Sequence, residues 1–100
     1  MHVKIIYCLY INVKYRSKTE IVANILEAAN KGGTTKTKLM YKAYISYNQL
    51  KEYLSLLIES NLIEYLDGVH KFKTTEKGLN FLKMHNEIGE LLQTTIENNN

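Results

Sequence analysis

The sequence contains a single cysteine and no proline, and these absences exclude several kinds of protein. A lone thiol, Cys8, cannot form an intrachain disulfide, which is typical of a protein from a reducing compartment. No motif places a base beside Cys8, so we interpret it as a small buried hydrophobic residue rather than a nucleophile. The chain also lacks internal repeats and a Gly/Ser-rich linker, so no internal boundary is indicated.

Long apolar runs are absent as well. No run approaches the roughly 20 residues that a membrane-spanning helix needs. The apolar segment 5–11 is much shorter, and no small-residue cleavage site follows it. We therefore expect a cytoplasmic protein with no membrane partner.

Patterns that carry catalysis or bind metals are missing too. His2, His70 and His85 are spread along the chain without the cysteine or acid spacing of a metal site. Gly32-Gly33 is better explained as a helix stop than as a phosphate loop. We expect no enzyme activity, no cofactor, no metal and no small-molecule substrate.

What the sequence does contain is enough apolar material for one core. Its 100 residues are 45% hydrophobic and 23% charged, which is typical of a single globular domain. The net charge is only +3, but residues 1–45 carry eight Lys/Arg against two acids. Residues 46–100 carry five Lys/Arg against eight acids. The basic half is the part that we expect to meet a polyanion.

Residues 2–15 alternate between two sets of side chains and are rich in β-branched and aromatic types. This pattern predicts a β-strand, an N-terminal arm over residues 1–15. A lone strand cannot stay exposed, so it should pair with a hairpin of the same chain or with a second copy. The alternative interpretation is a poorly ordered arm.

Two helices are predicted next. Ser17 with Glu20 three residues later forms a capping-box pattern. Residues 30–33 end this first helix. Its predicted buried stripe comprises Ile21, Ile25, Leu26, Ala28 and Ala29. Thr34 or Thr35 then caps a short second helix, whose apolar members are Leu39, Met40 and Ala43.

Residues 46–61 form the stretch around which the rest is organised. Ser46 with Gln49 is another capping-box pattern. Apolar residues recur at three- and four-residue spacing, and they define one buried face: Leu50, Tyr53, Leu54, Leu57 and Ile58. A polar-fronted helix that follows a short helix is typical of a DNA recognition helix.

A hairpin and a final helix complete the chain. Asp67-Gly68 between two β-rich runs predicts a two-residue turn with positive φ angles. Thr75 caps the last helix, and Glu76 suits its first turn. A three-four repeat of apolar positions on this helix predicts a dimerisation face comprising Phe81, Met84, Ile88, Leu91, Leu92 and Thr95.

These elements predict a mainly α fold with a small β-hairpin (α+β). It is a winged helix-turn-helix over residues 16–75, with a dimerisation helix over 76–100 and the extra N-terminal strand.

Four segments carry a resemblance to a known family: ILEAANKGG, TKTKLMYKAYISYNQLKEYL, NLIEYLDG and TEKG. The chain resembles the archaeal 10-kDa winged-helix DNA-binding proteins over about two-thirds of its length. That resemblance implies a homodimer, joined through a C-terminal coiled coil, that binds double-stranded DNA with modest sequence preference. The extra strand and the short last helix depart from the pattern.

The candidate DNA contacts follow from winged-helix geometry, in which the first turn of the third helix meets base edges and phosphates. Asn48 and Gln49 can pair with adenine, and Lys51 can reach guanine or phosphate. The basic start of the second helix is a candidate phosphate clamp. The full set comprises Thr35, Lys36, Lys38, Ser46, Tyr47, Asn48, Gln49, Lys51, His70 and Lys71.

Each of these contacts has a plainer alternative. Gln49 can serve only as a cap, Tyr47 can pack against the second helix, and the lysines can be a solvated face. Glu52 most simply pairs with a neighbouring lysine. The eight tyrosines suggest base stacking, but core or hydrogen-bonded packing is the favoured interpretation for most of them.

The leading hypothesis is a chromosome-associated, homodimeric DNA-binding protein that serves either chromatin packing or transcription regulation. Its partners would be double-stranded DNA and a second copy of itself. A winged-helix module for protein interaction is the first alternative. Binding of single-stranded nucleic acid through exposed tyrosines is another.

Overall fold

The structure, a computed structural model, describes residues 16–98 and the side chains of residues 16–92. Its described elements are six, in the order α1 Lys18–Ala28, α2 Lys36–Ala43, α3 Tyr47–Glu59, β1 Ile63–Leu66, β2 Lys71–Thr74 and α4 Glu76–Asn98. The two strands form an antiparallel hairpin, the wing. The predicted α+β winged-helix fold is confirmed. The predicted strand over residues 2–15 lies outside the described residues.

The helices begin where the capping signals predict. The Ser17, Thr35 and Ser46 side chains each accept a hydrogen bond from a backbone N–H in the first turn of their helix. This satisfies one of the amides that a helix start otherwise leaves unpaired. Of the two candidate caps for α2, Thr35 is the one used.

The helix that precedes α2 ends as the Gly-Gly pattern indicates. Lys31, Gly32 and Gly33 all have positive φ, so the chain turns sharply after Ala28. A Cβ on Gly33 would lie 3.0 Å from the carbonyl oxygen of Phe72, so this glycine also allows the wing to approach closely.

The wing turn differs from the predicted two-residue turn. Leu66 pairs with Lys71, so the loop contains the four residues 67–70. The Val69 N–H donates to the Leu66 carbonyl at 3.2 Å, and His70, not Gly68, takes the left-handed conformation with φ 52°. A two-residue loop matches the twist of the two strands only when its own residues have positive φ. A longer loop matches that twist with a turn followed by one left-handed residue, which here is His70.

One core joins all the elements. Its fully buried large side chains come from α1, α2, α3 and the wing: Ile25, Leu26, Leu39, Leu50, Leu57 and Ile63. Each such side chain stabilises the fold by roughly 1.5–3 kcal/mol. The stripe predicted for α3 is correct for Leu50, Leu54 and Leu57, whereas Ile58 is 40% exposed and lines an open groove with Phe72 of the wing.

Hydrogen bonds between elements fix the wing against the helices. Thr34 exchanges two backbone hydrogen bonds with Phe72, at 2.9 and 2.8 Å. The Thr74 hydroxyl donates to the Leu26 carbonyl at 2.6 Å, which ties β2 to α1. The Thr75 hydroxyl accepts from the Gly78 N–H and donates to the Asn61 carbonyl at 2.6 Å. Thr75 thus starts α4 and holds it near the end of α3.

The first two turns of α4 belong to the core. Leu82 is buried, and Gly78 lies so close to the Leu62 carbonyl that a Cβ there would clash. The 23-residue helix then continues for a total length of about 35 Å. The proposed boundary between residues 75 and 76 stays a prediction, but the packing of Gly78 and Leu82 crosses it.

Candidate nucleic-acid interface

The first turn of α3 is held by a complete capping box. The Ser46 hydroxyl accepts from the Gln49 N–H at 3.2 Å, and the Gln49 side-chain oxygen accepts from the Ser46 N–H at 3.0 Å. This arrangement rigidifies the end of the helix that would enter a DNA groove. It also gives one hydrogen bond to the oxygen that Gln49 would use in a paired contact with adenine, so the side chain is oriented toward the Ser46 backbone.

One side of α3 faces the wing. Tyr47, Lys51, Ser55 and Ile58 line a groove with Lys36 of α2 and Phe72 of β2. The Lys36 ammonium lies over the Phe72 ring, 5.9 Å from its centroid, which is within the range of a cation–π interaction. The structure therefore brings together three of the predicted DNA contacts, Lys36, Tyr47 and Lys51. We call this surface the wing groove.

The opposite side of α3 faces the start of α1. Gln49, Glu52, Tyr53 and Leu56 line a different groove with Lys18. Gln49 and Glu52 thus point away from the wing groove. Glu52 shares this groove with Lys18, and its pairing with a neighbouring lysine stays a prediction.

Asn48 lies on the outward face of α3, between these two sides. Helical periodicity places Glu52, Ser55 and Glu59 on the same outward stripe. Two carboxylates on this stripe would repel phosphates along the later turns of the helix. A polyanion would therefore meet the fewest acids at the first turn of α3, where Tyr47 and Asn48 lie.

The structure separates the two lysines that begin α2. Lys36 faces the wing, whereas Lys38 lines another groove with Lys31 and Lys42. The reason is the helical period, which puts positions two apart on nearly opposite faces. Lys36 and Lys38 therefore lie in different grooves, and their role as a phosphate clamp stays a prediction. Lys38 as a DNA contact in its own groove stays a prediction.

The wing carries His70 and Lys71. The Tyr65 hydroxyl and His70 Nδ1 are 2.7 Å apart, and the Tyr65 ring packs on Phe72 with the ring centroids 4.9 Å apart. Phe72 is buried, so strand alternation places Lys71 and Lys73 on the other, exposed face of β2. His70 therefore borders the wing groove, while Lys71 belongs to the outer face of the wing.

Core packing, the favoured interpretation for most tyrosines, does not hold for Tyr41 and Tyr44, whereas Tyr47 is exposed, as a candidate DNA contact must be. Tyr41, Tyr44 and Tyr47 are 76%, 68% and 50% exposed. They mark the last turn of α2, the turn after it and the first residue of α3. Periodicity did not reveal the exposure of Tyr44, because this residue lies in the turn and has φ 54°, a conformation that normally favours glycine.

Arg16 holds this turn. Its guanidinium Nη2 donates to the Tyr44 carbonyl at 3.0 Å. Its Nε and Nη1 atoms are buried, so little of the cation is presented to solvent. Arg16 is thus a structural residue of the helix-turn-helix.

The predicted dimerisation residues fall into two groups. Phe81 is half-buried against the core and stacks with His85 at a centroid distance of 6.2 Å. Further along α4, four apolar side chains are exposed in a single copy: Met84, Ile88, Leu91 and Leu92. The side chain of Thr95 lies outside the described set. The exposed residues form a stripe about two and a half turns long.

Other kinds of site find no counterpart within the described part of the chain. No group of three or more His, Cys, Asp or Glu side chains among residues 16–92 is arranged to hold a metal ion. None of the helices that the structure describes has the length and apolar character needed to cross a membrane.

Comparison with known proteins places this geometry in a family. A family model described as winged helix-turn-helix matches residues 15–93. Two proteins of Methanocaldococcus jannaschii are related in sequence. Uncharacterized protein MJ0287 is 30% identical over 78% of this chain and 75% of its own length. Uncharacterized protein MJ0290 is 31% identical over 77% of this chain, which spans only 36% of that longer protein.

A solved structure shows the same fold. The crystal structure of Sso10a-2, described as a DNA-binding protein from Sulfolobus solfataricus, aligns with a TM-score of 0.69 at 22% sequence identity. The alignment covers 84% of this chain and 90% of that one. Together, the family model, the relative MJ0287 and this structural match confirm the resemblance that the sequence motifs indicated. This chain belongs to the winged helix-turn-helix family.

Proposed function

We propose that the chain binds double-stranded DNA through the first turn of α3 and the wing groove. Tyr47 and Asn48 approach base edges and sugars in the major groove. Lys36 and Lys51 contact phosphates on either side, and the wing loop with His70 follows the adjacent backbone. The observation that carries this proposal is the convergence of Lys36, Tyr47 and Lys51 on one groove whose lining residues include no acid.

The distribution of acids supports the same docking direction. Glu52 and Glu59 occupy the outward stripe of α3 beyond its first turn, so DNA lying along the whole helix would meet two carboxylates. An approach to the helix end avoids them and uses the positive end of the helix dipole. The solved relative of the same fold is described as DNA-binding, which is consistent with this assignment.

The proposed DNA-binding form is a homodimer joined through α4. Met84, Ile88 and Leu92 are each more than half exposed and lie on one face of the helix. A contiguous apolar stripe of this kind is unfavourable in water and is typically covered by a partner helix. Two copies would present two wing grooves to one duplex, or one groove to each of two duplexes. Chromatin packing and gene-specific regulation both fit such a dimer.

The first test is binding of the full chain to random-sequence duplex DNA, measured by fluorescence anisotropy over a range of salt concentrations. We expect binding that weakens linearly in log–log coordinates as salt rises, because lysine–phosphate contacts release counterions. Absence of binding at low salt would reject the proposal and favour the protein-interaction alternative. The exposed Leu56 beside Tyr53 would then be the first surface to examine.

A second arm separates packing from regulation. The same chain is titrated against duplexes selected from a random pool and against unselected duplexes. A regulator should bind its selected site at least about a thousandfold more tightly than random DNA. A packing protein should show almost no difference.

A further inference from the structure

The wing groove is more than a charged surface, because it has an apolar floor. Its volume is about 160 Å³. Four apolar side chains form the floor, Leu50, Leu54, Ile58 and Phe72. An apolar cavity of about 150 Å³ with similar lining is large enough to hold one benzene molecule. The groove therefore matches a single aromatic ring in size.

Ile58 makes this floor accessible. The helical repeat predicts a buried position for Ile58, yet 40% of its surface is exposed, and it borders both this groove and the neighbouring one beside His70. Leu50, Leu54 and Phe72, which line the same groove, are buried. A ring seated on Ile58 would cover apolar surface that the fold itself leaves open to water.

The rim of the groove carries charge of one sign. Lys36 and Lys51 stand on it together with the Tyr47 and Ser55 side chains, and none of the described lining residues is acidic. Lys36 is held over Phe72 at 5.9 Å, so its ammonium group lies at the edge of the floor. An occupant with an apolar ring and one negative group would satisfy both the floor and the rim.

We propose that the wing groove is a binding site for a small aromatic carboxylate, with the ring on Ile58 and the carboxylate between Lys36 and Lys51. Binding of this ligand does not depend on DNA binding. Its consequence does rest on the proposed function: because the same two lysines contact phosphates, the ligand and DNA compete. The groove would then make DNA binding responsive to an aromatic acid.

The direct test uses benzoate as the probe, with two matched compounds. Benzamide has the same ring without the charge, and acetate has the charge without the ring. Chemical shifts of backbone amides are followed by NMR during each titration of the full chain. We expect benzoate to saturate with a dissociation constant on the order of 1 mM. The shifts should be confined to the residues around the wing groove. Benzamide and acetate should each bind at least about tenfold more weakly.

Variants localise the site. Lys51→Gln should weaken benzoate binding about fivefold or more, whereas Lys42→Gln, which changes a lysine of another groove, should leave it unchanged. Equal responses to benzoate and acetate would overturn the proposal, since they would indicate anion binding without a ring site. Shifts spread over the whole surface, or no shifts at all, would overturn it as well.

Competition with DNA is a separate measurement. If the chain binds duplex DNA, benzoate should raise the apparent dissociation constant, and benzamide should not. If the chain binds benzoate but no DNA, the ligand site stands and the proposed DNA function fails. If it binds DNA without responding to benzoate in either assay, the function stands and the ligand site fails.

Discussion

Thr34 and Phe72 are joined by a reciprocal pair of backbone hydrogen bonds, at 2.9 and 2.8 Å, that form a single antiparallel bridge. The bridge places the start of α2 directly beside the wing. Lys36, two residues after Thr34, thereby reaches the Phe72 ring and shares the wing groove with Tyr47 and Lys51. Three segments that are distant in sequence become one surface through this pairing.

Gly78 should be intolerant of even one added carbon. A Cβ there would clash with the Leu62 carbonyl and with the Thr74 side chain. We expect Gly78→Ala to lower the free energy of unfolding by about 1–3 kcal/mol, because the Leu62 backbone or the Thr74 side chain must move to make room for the added carbon. Urea denaturation at a fixed protein concentration measures this change.

Gly89 on the same helix is the matched control. A Cβ there has nothing within 4 Å, so Gly89→Ala adds only helix propensity. We expect it to stabilise the protein by roughly 0.5–1 kcal/mol. Destabilisation by Gly89→Ala, or a neutral Gly78→Ala, would contradict the packing described for α4.

Substitution by glycine should change the free energy of unfolding in opposite directions at Tyr44 and Tyr41. Tyr44 is exposed and left-handed, a conformation that costs a non-glycine residue about 1–2 kcal/mol. Glycine relieves this strain but loses more conformational entropy on folding, so the two effects partly cancel. We expect Tyr44→Gly to stabilise the fold by up to about 1 kcal/mol.

Tyr41, also exposed, lies inside α2. Tyr41→Gly should therefore destabilise the protein by up to about 1 kcal/mol. Thermal melts resolve the pair, since 1 kcal/mol shifts the midpoint of a domain of this size by roughly 4–8 °C. Shifts of the same sign would show that the turn is not strained as described.

The capping box gives a prediction about Ser46. Ser46→Ala removes the hydroxyl that accepts from the Gln49 amide, so the free energy of unfolding should fall by about 1 kcal/mol. Ser55→Ala, an exposed change in the middle of α3, should be neutral or slightly stabilising. A loss from Ser55→Ala as large as that from Ser46→Ala would argue against a specific cap.

The proposed dimer is tested by placing charge on the apolar stripe of α4. Ile88→Asp with Leu92→Asp should convert the assembly to monomers, because a paired face would bury two carboxylates. Lys83→Asn with Asn86→Asp changes the net charge equally on the other side of the helix and should leave the mass unchanged. Light scattering distinguishes the outcomes. An unaltered mass for the stripe variant would place the interface elsewhere.

Local signals in the sequence predicted most of the fold. Ser17, Thr35 and Ser46 begin helices because a hydroxyl one residue before a helical run satisfies a free amide, whatever the rest of the chain does. The wing turn was mispredicted because an Asp-Gly pair suits both a two-residue loop and the four-residue loop that the structure has. Tyr44 was missed because its left-handed backbone is imposed by the neighbouring helices.

The candidate site was predictable only in part. Residue types near the start of α3 were identifiable from the winged-helix pattern, but their direction depends on tertiary packing. Lys36 and Lys38 are equivalent in sequence, and the bridge of Thr34 to Phe72 decides which one meets the wing. The apolar floor of the wing groove could not be predicted from the sequence either, because the spacing of Ile58 predicts a buried core residue.

The measurement that tests the central claim most directly compares two double variants in a salt titration with duplex DNA. Lys36→Ala/Lys51→Ala removes both cations of the wing groove, and Lys31→Ala/Lys42→Ala removes two lysines of another groove. We expect the first variant to bind more weakly at low salt and to lose about 2 from the slope of log K against log salt. The second should keep most of the affinity and slope of the parent chain. Equal losses from both variants, or a larger loss from the second, would contradict docking of DNA at the wing groove.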